Sequence, residues 1–205
     1  MKTILLNVLI ALAITFTVGT AHSIEEPNYV VVRQYQGFEV REYAPYLVAE
    51  VSVPGPASEA GNQGFKLLAA YIFGKNKGDR KIDMTAPVTQ TAEPREIAMT
   101  APVTQIGDGV GFIVQFSMPK EFNLSTIPDP IDPSVRLREE PGGRFAVIQY
   151  SGTWSESNYT EHLTKLREAV SAANVSTRGE PIYARYNAPF VPWFMRRNEI
   201  WLRAD

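Results

Sequence analysis

The chain of 205 residues contains no cysteine. Disulfides, thiolate chemistry and Cys-ligated zinc or iron–sulfur clusters are therefore excluded, and stability has to come from a buried core. Histidine is nearly as scarce, with His22 and His162 alone. A Ser-His-acid centre would have to use one of these two, and no serine lies in a nucleophile-elbow pattern. Histidines so far apart cannot form a two-histidine metal helix, and no dense carboxylate loop offers a calcium site. Charge of one sign never gathers into a block. Lys and Arg number 20 and Asp and Glu 22, for a formal net charge of −2. The basic stripe that a nucleic-acid backbone calls for is missing, and an anionic membrane surface has no better support. Gly107, Gly109 and Gly111 come near a nucleotide loop, but Phe112 breaks the dinucleotide spacing, so they read as a flexible turn before a strand.

What is present is ordinary for a globular domain: 44% hydrophobic and 20% charged residues. The length suggests one domain or two small ones. Lys2 supplies a positive start, residues 4–18 are apolar except for Asn7, Thr15 and Thr17, and Gly19-Thr20-Ala21 gives a small-residue exit. This is the pattern of a secretory signal. The expected organisation is a signal peptide at 1–21 and a ligand-binding domain at 22–205, exported to a periplasm or secreted. The alternative is an uncleaved anchor, although the stretch is short of the roughly 20 residues that span a bilayer. Membrane association is expected only if this segment is retained.

Tyr29 to Tyr35 and Phe38 to Tyr43 are β-rich runs around Gln36-Gly37 and predict a hairpin. Tyr46 to Val53 alternates, with Leu47, Ala49, Val51 and Val53 on one face, and Pro54-Gly55-Pro56 ends it. Ser58 can cap a helix running to about Phe73. Strands are then expected at 82–90, 97–105 and 112–118, the first two being nearly the same peptide, Ile-x-Met-Thr-Ala-Pro-Val-Thr-Gln. Pro119 to Ser134 reads as a long connection. The pattern then begins again. Val135 to Glu139, a Pro141-Gly142-Gly143 turn and Phe145 to Tyr150 predict a second hairpin. A helix from about Asn158 to Ala173 follows, with Asn158 and Glu161 at capping-box spacing and Tyr159, Leu163, Leu166, Val170 and Ala173 in one stripe. Pro181 to Ala188 and Glu199 to Arg203 are the last strands. The fold class is α+β: a distorted antiparallel β-barrel or curved sheet with two helices, in a pseudo-twofold repeat of hairpin, helix and strands. Two helices cannot cover so large a sheet, so one face is expected to stay concave and partly open to a small ligand.

Several segments resemble the SOUL, or heme-binding protein, family: Phe38-Glu39-Val40-Arg41-Glu42-Tyr43, the Met-Thr-Ala-Pro-Val copies at Met84 and Met99, Arg136-Leu137-Arg138-Glu139, and Tyr150-Ser151-Gly152-Thr153-Trp154-Ser155. The most specific are Ala184-Arg185-Tyr186-Asn187-Ala188-Pro189-Phe190, Pro192-Trp193 and Arg196-Arg197-Asn198-Glu199-Ile200-Trp201. The resemblance implies a distorted β-barrel with two helices and internal pseudo-twofold symmetry, an architecture similar to the drug-binding domains of some bacterial regulators. It implies heme or another tetrapyrrole, or a similar apolar small molecule, as ligand, carried, buffered or sensed. It places the ligand against the first helix, at Asn62, Phe65, Lys66, Ala69, Ala70 and Phe73, and against the loop of Val191, Trp193 and Phe194. Core packing is the competing role for these residues. Animal members carry basic residues where this chain has Asn62, Ala70 and Val191, so Lys66, Arg196 and Arg197 are the nearest cations for a carboxylate ligand. Arg196 and Arg197 equally suit salt bridges to Glu199 or another acid.

A heme iron would find weak axial candidates in His162, Met84 and Met99, against surface placement for the histidine and core packing for the methionines. The rival class is a hydrolase using a pocket carboxylate. Glu50 is its candidate, since it shares a strand face with Tyr46 and Val48. Burial there would raise its pKa, whereas a half-exposed strand would leave it facing solvent. A third class is an envelope protein-interaction module, with the long proline-rich connection and the Met-Thr-Ala-Pro-Val duplication as contact surfaces and an unknown partner; the duplication equally reads as two neighbouring strands. Sequons at Asn123, Asn158 and Asn174 matter only in a host that glycosylates exported proteins.

Overall fold

The computed structural model describes residues 25–55, 57–78, 103–107, 111–187 and 190–205. The signal read at 1–21, the strand at 82–90, residues 97–102 of the next one, and both Met84 and Met99 lie outside the described residues. The elements are β1 (Tyr29–Gln34), β2 (Glu39–Tyr43), β3 (Tyr46–Pro54), α1 (Ala57–Ile72), β4 (Val103–Gly107), β5 (Gly111–Ser117), β6 (Arg136–Glu140), β7 (Gly143–Tyr150), α2 (Glu156–Ala172), β8 (Thr177–Arg185), a 3-10 turn (Trp193–Met195) and β9 (Asn198–Ala204). The strands form one antiparallel sheet in the order β1-β2-β7-β9-β8-β4-β5-β3-β6.

That order requires a rolled sheet. β2 and β3 stand six places apart, as do β6 and β7. Yet Ala44-Pro45 alone joins the first pair and Pro141-Gly142 alone joins the second. Six places on a flat sheet measure about 29 Å, while a two-residue link reaches about 11 Å. The sheet therefore curls back on itself into a half-barrel, and the two links cross at its seam. Gly142 has φ +72°, and a Cβ there would lie 2.3 Å from the Tyr43 carbonyl oxygen, so this crossing needs glycine twice over.

The seam corrects the second predicted hairpin. β6 and β7 do not pair: β6 joins β3, and β7 joins β2 and β9. The expected β1–β2 hairpin does form. The internal repeat is visible as two four-stranded runs, β6-β3-β5-β4 and β2-β7-β9-β8, meeting at the β4–β8 pair.

Each run carries one helix. α1 packs Ala60, Leu68 and Ile72 on Val51, Val53, Val114 and Phe116. α2 packs Tyr159, Leu166 and Val170 on Ala146, Tyr150, Ile200 and Leu202. α1 begins at Ala57, one residue ahead of Ser58. In α2 the N-cap is Ser155, whose hydroxyl accepts from the Asn158 N–H. Asn158 thus sits inside the first turn rather than capping it, and its side chain donates to the Thr153 carbonyl at 2.8 Å. The connection after β5 makes one isolated bridge, Asn76 with Pro130. It lays Phe122 and Ile127 into the first core cluster.

The sheet face turned away from the helices is not the open concavity expected. It is filled by Tyr43, Phe145, Val147, Tyr186 and Trp201 and by buried polar chains, among them Arg41, Glu50, Gln115 and Glu199.

Candidate functional site

On the helix-bearing side a narrow cleft opens over the β4–β8 junction. Gly61, Asn62 and Phe65 of α1, Val103, Trp154, Arg185 and Asn187 line it, around a volume of about 20 Å³. That is room for about one water, enough for the edge or side group of a ligand but not for a ring system. Two residues expected at the site, Asn62 and Phe65, are therefore in its wall. Lys66 is exposed on the outer side of α1, and Ala69 and Ala70 are half-buried. Ala69 packs against the first core cluster. Phe73, at the helix end, is 60% exposed.

The loop before β9 presents its large side chains outward: Phe190, Trp193, Phe194 and Met195 are between 57% and 88% exposed. Trp193 and Phe194 meet edge to face at 5.6 Å. Val191 is half-buried and contributes its carbonyl, which accepts from Arg196 Nε at 2.8 Å. The loop is tied to the cleft by two contacts. The Gly152 N–H donates to the Trp193 carbonyl at 3.0 Å, and the Arg196 guanidinium lies over the Trp154 ring at 4.2 Å. Trp193 also borders a more open depression of about 380 Å³ lined by Ser151, Thr153, Ser155, Ser157, Asn158 and Glu161.

The Trp154 ring also meets a second guanidinium, that of Arg185 at 4.6 Å. Trp154 thus contacts two cations, and its indole N–H donates to Asn198 Oδ1 at 2.8 Å. Arg185 is buried. Its Nη2 and Nε donate to the Tyr159 hydroxyl at 2.6 and 3.0 Å, with longer contacts to Gln105 Oε1 at 3.4 Å and Asn62 Oδ1 at 3.5 Å. α1 can lie this close because residue 61 is glycine: a Cβ there would come 2.6 Å from Arg185 Nη1. Sequence reasoning passed over both Arg185 and Trp154. The available signal was glycine at 61 and 64 inside an amphipathic helix, where each costs roughly 1 kcal/mol against alanine and so marks a close neighbour.

The two acids singled out are both buried. Glu199 is fully enclosed and accepts five hydrogen bonds. Its Oε2 takes Arg41 Nη1 at 2.9 Å, the Tyr186 hydroxyl at 2.8 Å and Trp201 Nε1 at 2.8 Å. Its Oε1 takes Arg197 Nε at 3.0 Å and Nη2 at 2.8 Å. Arg197 also pairs with Glu26 at 2.9 Å. Of its two expected roles Arg197 therefore fills the structural one. Burial works against the Arg41 charge, but Glu199, Tyr43 and Glu39 beside it together more than offset this and leave the guanidinium pKa above its usual value. Burial first, and then the Glu199 carboxylate, push the Tyr186 phenol well above its ordinary range.

Glu50 does not face solvent as a half-exposed strand would have it: 6% of it is exposed. It accepts from Arg138 Nε at 2.8 Å and Gln115 Nε2 at 3.0 Å, so its surroundings are polar rather than apolar. His162 is half-buried, stacks on Tyr150 at 4.1 Å and donates from Nδ1 to the Asn158 carbonyl at 2.9 Å, which leaves Nε2 as the lone-pair nitrogen of the neutral ring. Among the described residues no group of three or more His, Asp or Glu side chains is placed to hold a metal ion, and no helix is long and apolar enough to cross a membrane. Another cavity, of about 390 Å³, lies at the β2–β3 link between Glu25, Tyr46, Met118, Lys120, Phe122 and Glu139, and its wall includes Glu26, the partner of Arg197.

The model of the SOUL heme-binding protein family matches residues 24–203. The chain is 30% identical over 148 residues to heme-binding protein 1 of Mus musculus, covering 72% of this chain and 73% of that protein. It is 28% identical over 191 residues to heme-binding protein 2 of Homo sapiens, covering 90% and 88%. Similar solved structures include the EcmrR C-terminal domain, with a TM-score of 0.58 at 10% identity over 86% of this chain and 98% of that one. Another is a hydrolase from Listeria innocua, with a TM-score of 0.54 at 10% identity over 85% and 94%. At such identities the structures bear on the fold alone.

Proposed function

The chain belongs to the SOUL heme-binding protein family, and from that premise we propose that it binds heme or a related tetrapyrrole on the surface formed by α1 and the loop before β9. The observation that carries this reading is the group of four exposed large apolar side chains, Phe190, Trp193, Phe194 and Met195, tied through Trp193 and Arg196 to the cleft beside α1. A flat apolar body laid over Trp193 and Phe194 would remove their exposed rings from water, worth about 2–3 kcal/mol in total. The residues present suit the ring and its acid groups: aromatic surface outside, cations around Trp154 within. His162 Nε2 is the imidazole atom open to iron, and the site depends on apolar and ionic contact more than on ligation. Glu50, engaged by Arg138 and Gln115, is assigned a structural role, so no turnover is part of this reading.

The test is a hemin titration of the full chain followed by Soret absorbance, with an unrelated protein of equal charge alongside. A saturable, one-to-one shift is expected, weakened about tenfold in Phe65→Ala or in a Trp193→Ala, Phe194→Ala double variant. His162→Ala should leave the bound spectrum unchanged. A response no better than the control protein's would sink the reading. Steady hydrolysis of a model ester, lost in Glu50→Gln, would move the protein to the hydrolase class.

A further inference from the structure

The other arginines of the buried networks meet carboxylates. Arg41 pairs with Glu199 and Glu39, Arg197 with Glu199 and Glu26, and Arg138 with Glu50 and Glu140. Arg185 is different. It is 7% exposed, and its polar partners among the described residues are the Tyr159 hydroxyl and the side-chain oxygens of Gln105 and Asn62, all neutral. A buried cation without a counter-charge is costly, and folds rarely keep one without a use for it. The strong hydrogen bonds occupy the Nε–Nη2 edge. Nη1 has a single long contact, 3.5 Å to Asn62, and Asn62 lines the cleft with Arg185 itself. A second guanidinium, Arg196, lies over the ring of Trp154, itself part of the cleft wall, and adds positive charge nearby. The cleft holds about 20 Å³, too little for a ring but suited to the tip of an acid side group.

We infer that Arg185 anchors the ligand through a carboxylate that enters this cleft and meets Nη1, supplying the missing counter-charge. The inference rests on the proposed tetrapyrrole site for the carrier of the acid, but the anchor itself would serve any apolar molecule with a carboxylate on a short arm. Gly61 is part of the device, since it lets α1 close over the guanidinium without touching it.

The experiment compares protoporphyrin IX with its dimethyl ester on the full chain, by quenching of tryptophan fluorescence. The two share the macrocycle and differ at the side-group acids, which in the ester cannot ionise and each carry an added methyl, a bulk that the Arg185→Gln comparison controls for. The expected result is that the diacid binds at least about tenfold more tightly. Arg185→Gln and Gly61→Ala should bring the ratio within about twofold, while Arg185→Lys keeps part of it. Melting curves identify any variant that does not fold, and the wild-type ratio still decides in that event. Equal wild-type affinity for diacid and diester overturns the role of Arg185 and leaves the tetrapyrrole reading standing. If neither porphyrin binds, benzoate and benzamide are titrated against the Trp154 indole N–H resonance. A saturable shift with benzoate alone, lost in Arg185→Gln, upholds the anchor and removes the tetrapyrrole. No shift with either overturns both.

Discussion

Glu199 and Glu50 are both buried acids on strands, yet their replacement should differ sharply. Glu199 is completely enclosed and receives five donors, including two arginines that are themselves 3% and 29% exposed. Glu199→Gln keeps the volume but removes the charge and turns an amide N–H₂ toward arginine and indole groups that can only donate. Glu199→Leu removes the acceptors altogether. Either change leaves the buried Arg41 with Glu39 alone as counter-charge and takes Arg197 off its acceptor, and breaking a buried ion pair from one side costs about 3–5 kcal/mol. For a domain of this size each kcal/mol lowers Tm by about 2–4 °C, so a fall of roughly 6–20 °C is expected. Glu50 loses less on the same change. Its partner Arg138 is 39% exposed and can turn to water, leaving mainly the buried Gln115 amide unsatisfied, for about 1–3 kcal/mol. Urea unfolding followed by tryptophan fluorescence, with a differential scanning calorimetry check, measures both. Equal losses in the two variants, or a loss under about 1 kcal/mol at Glu199, would refute the view that enclosure of the arginine sets the cost.

Alkaline pH supplies an independent test. Tyr43, Tyr71, Tyr150, Tyr159 and Tyr186 are buried and have raised pKa values, burial being the largest cause in each. In the unfolded chain they titrate near 10, so their contribution is complete below that pH and lost as pH rises beyond it, by about 1.4 kcal/mol per pH unit for each phenol. The urea midpoint should fall steeply above about pH 10, with phenolate absorbance at these sites emerging together with unfolding. Their ionisation near 10 in the folded protein would contradict the burial. Gly64→Ala should destabilise by about 1–2 kcal/mol in urea, because the new Cβ would lie 2.5 Å from Val114 Cβ and overpacking outweighs the gain in helix propensity; a more stable variant would mean that α1 sits farther from β5.

Much of the fold was legible locally. The alternation of Leu47, Ala49, Val51 and Val53 and the spacing of Tyr159, Leu166 and Val170 located β3 and α2, because one face of each carries the apolar set that packs between sheet and helix. Failures arose where local sequence allows two outcomes. Pro141-Gly142 reads as a hairpin turn because it reverses the chain, but whether the flanking strands pair depends on what lies beside them. Here β2 and β3 compete for β7 and β6 and win. Ser155 and Asn158 both have capping chemistry, and the path of the chain from Thr153 selected Ser155. Glu50 could be placed on a strand face by periodicity, but not whether that face was wet, since this depends on Arg138 and Gln115 arriving from β6 and β5.

The amino-acid sequence by itself determined the family, the two-helix antiparallel architecture and its internal repeat, because these follow from motif and periodicity within short windows. It also set the chemical limits that follow from having no cysteine and two histidines. The tertiary structure alone decided that the sheet rolls, that its inner face is filled by the Glu199 and Glu50 networks, and that Arg185 reaches the cleft with no acid beside it among the described residues. Those outcomes depend on contacts between residues far apart in the chain, such as Arg185 with Gly61 and Arg41 with Glu199. A helical glycine such as Gly61 hints at a close neighbour without naming it, and only the folded geometry gives such a pair a common site.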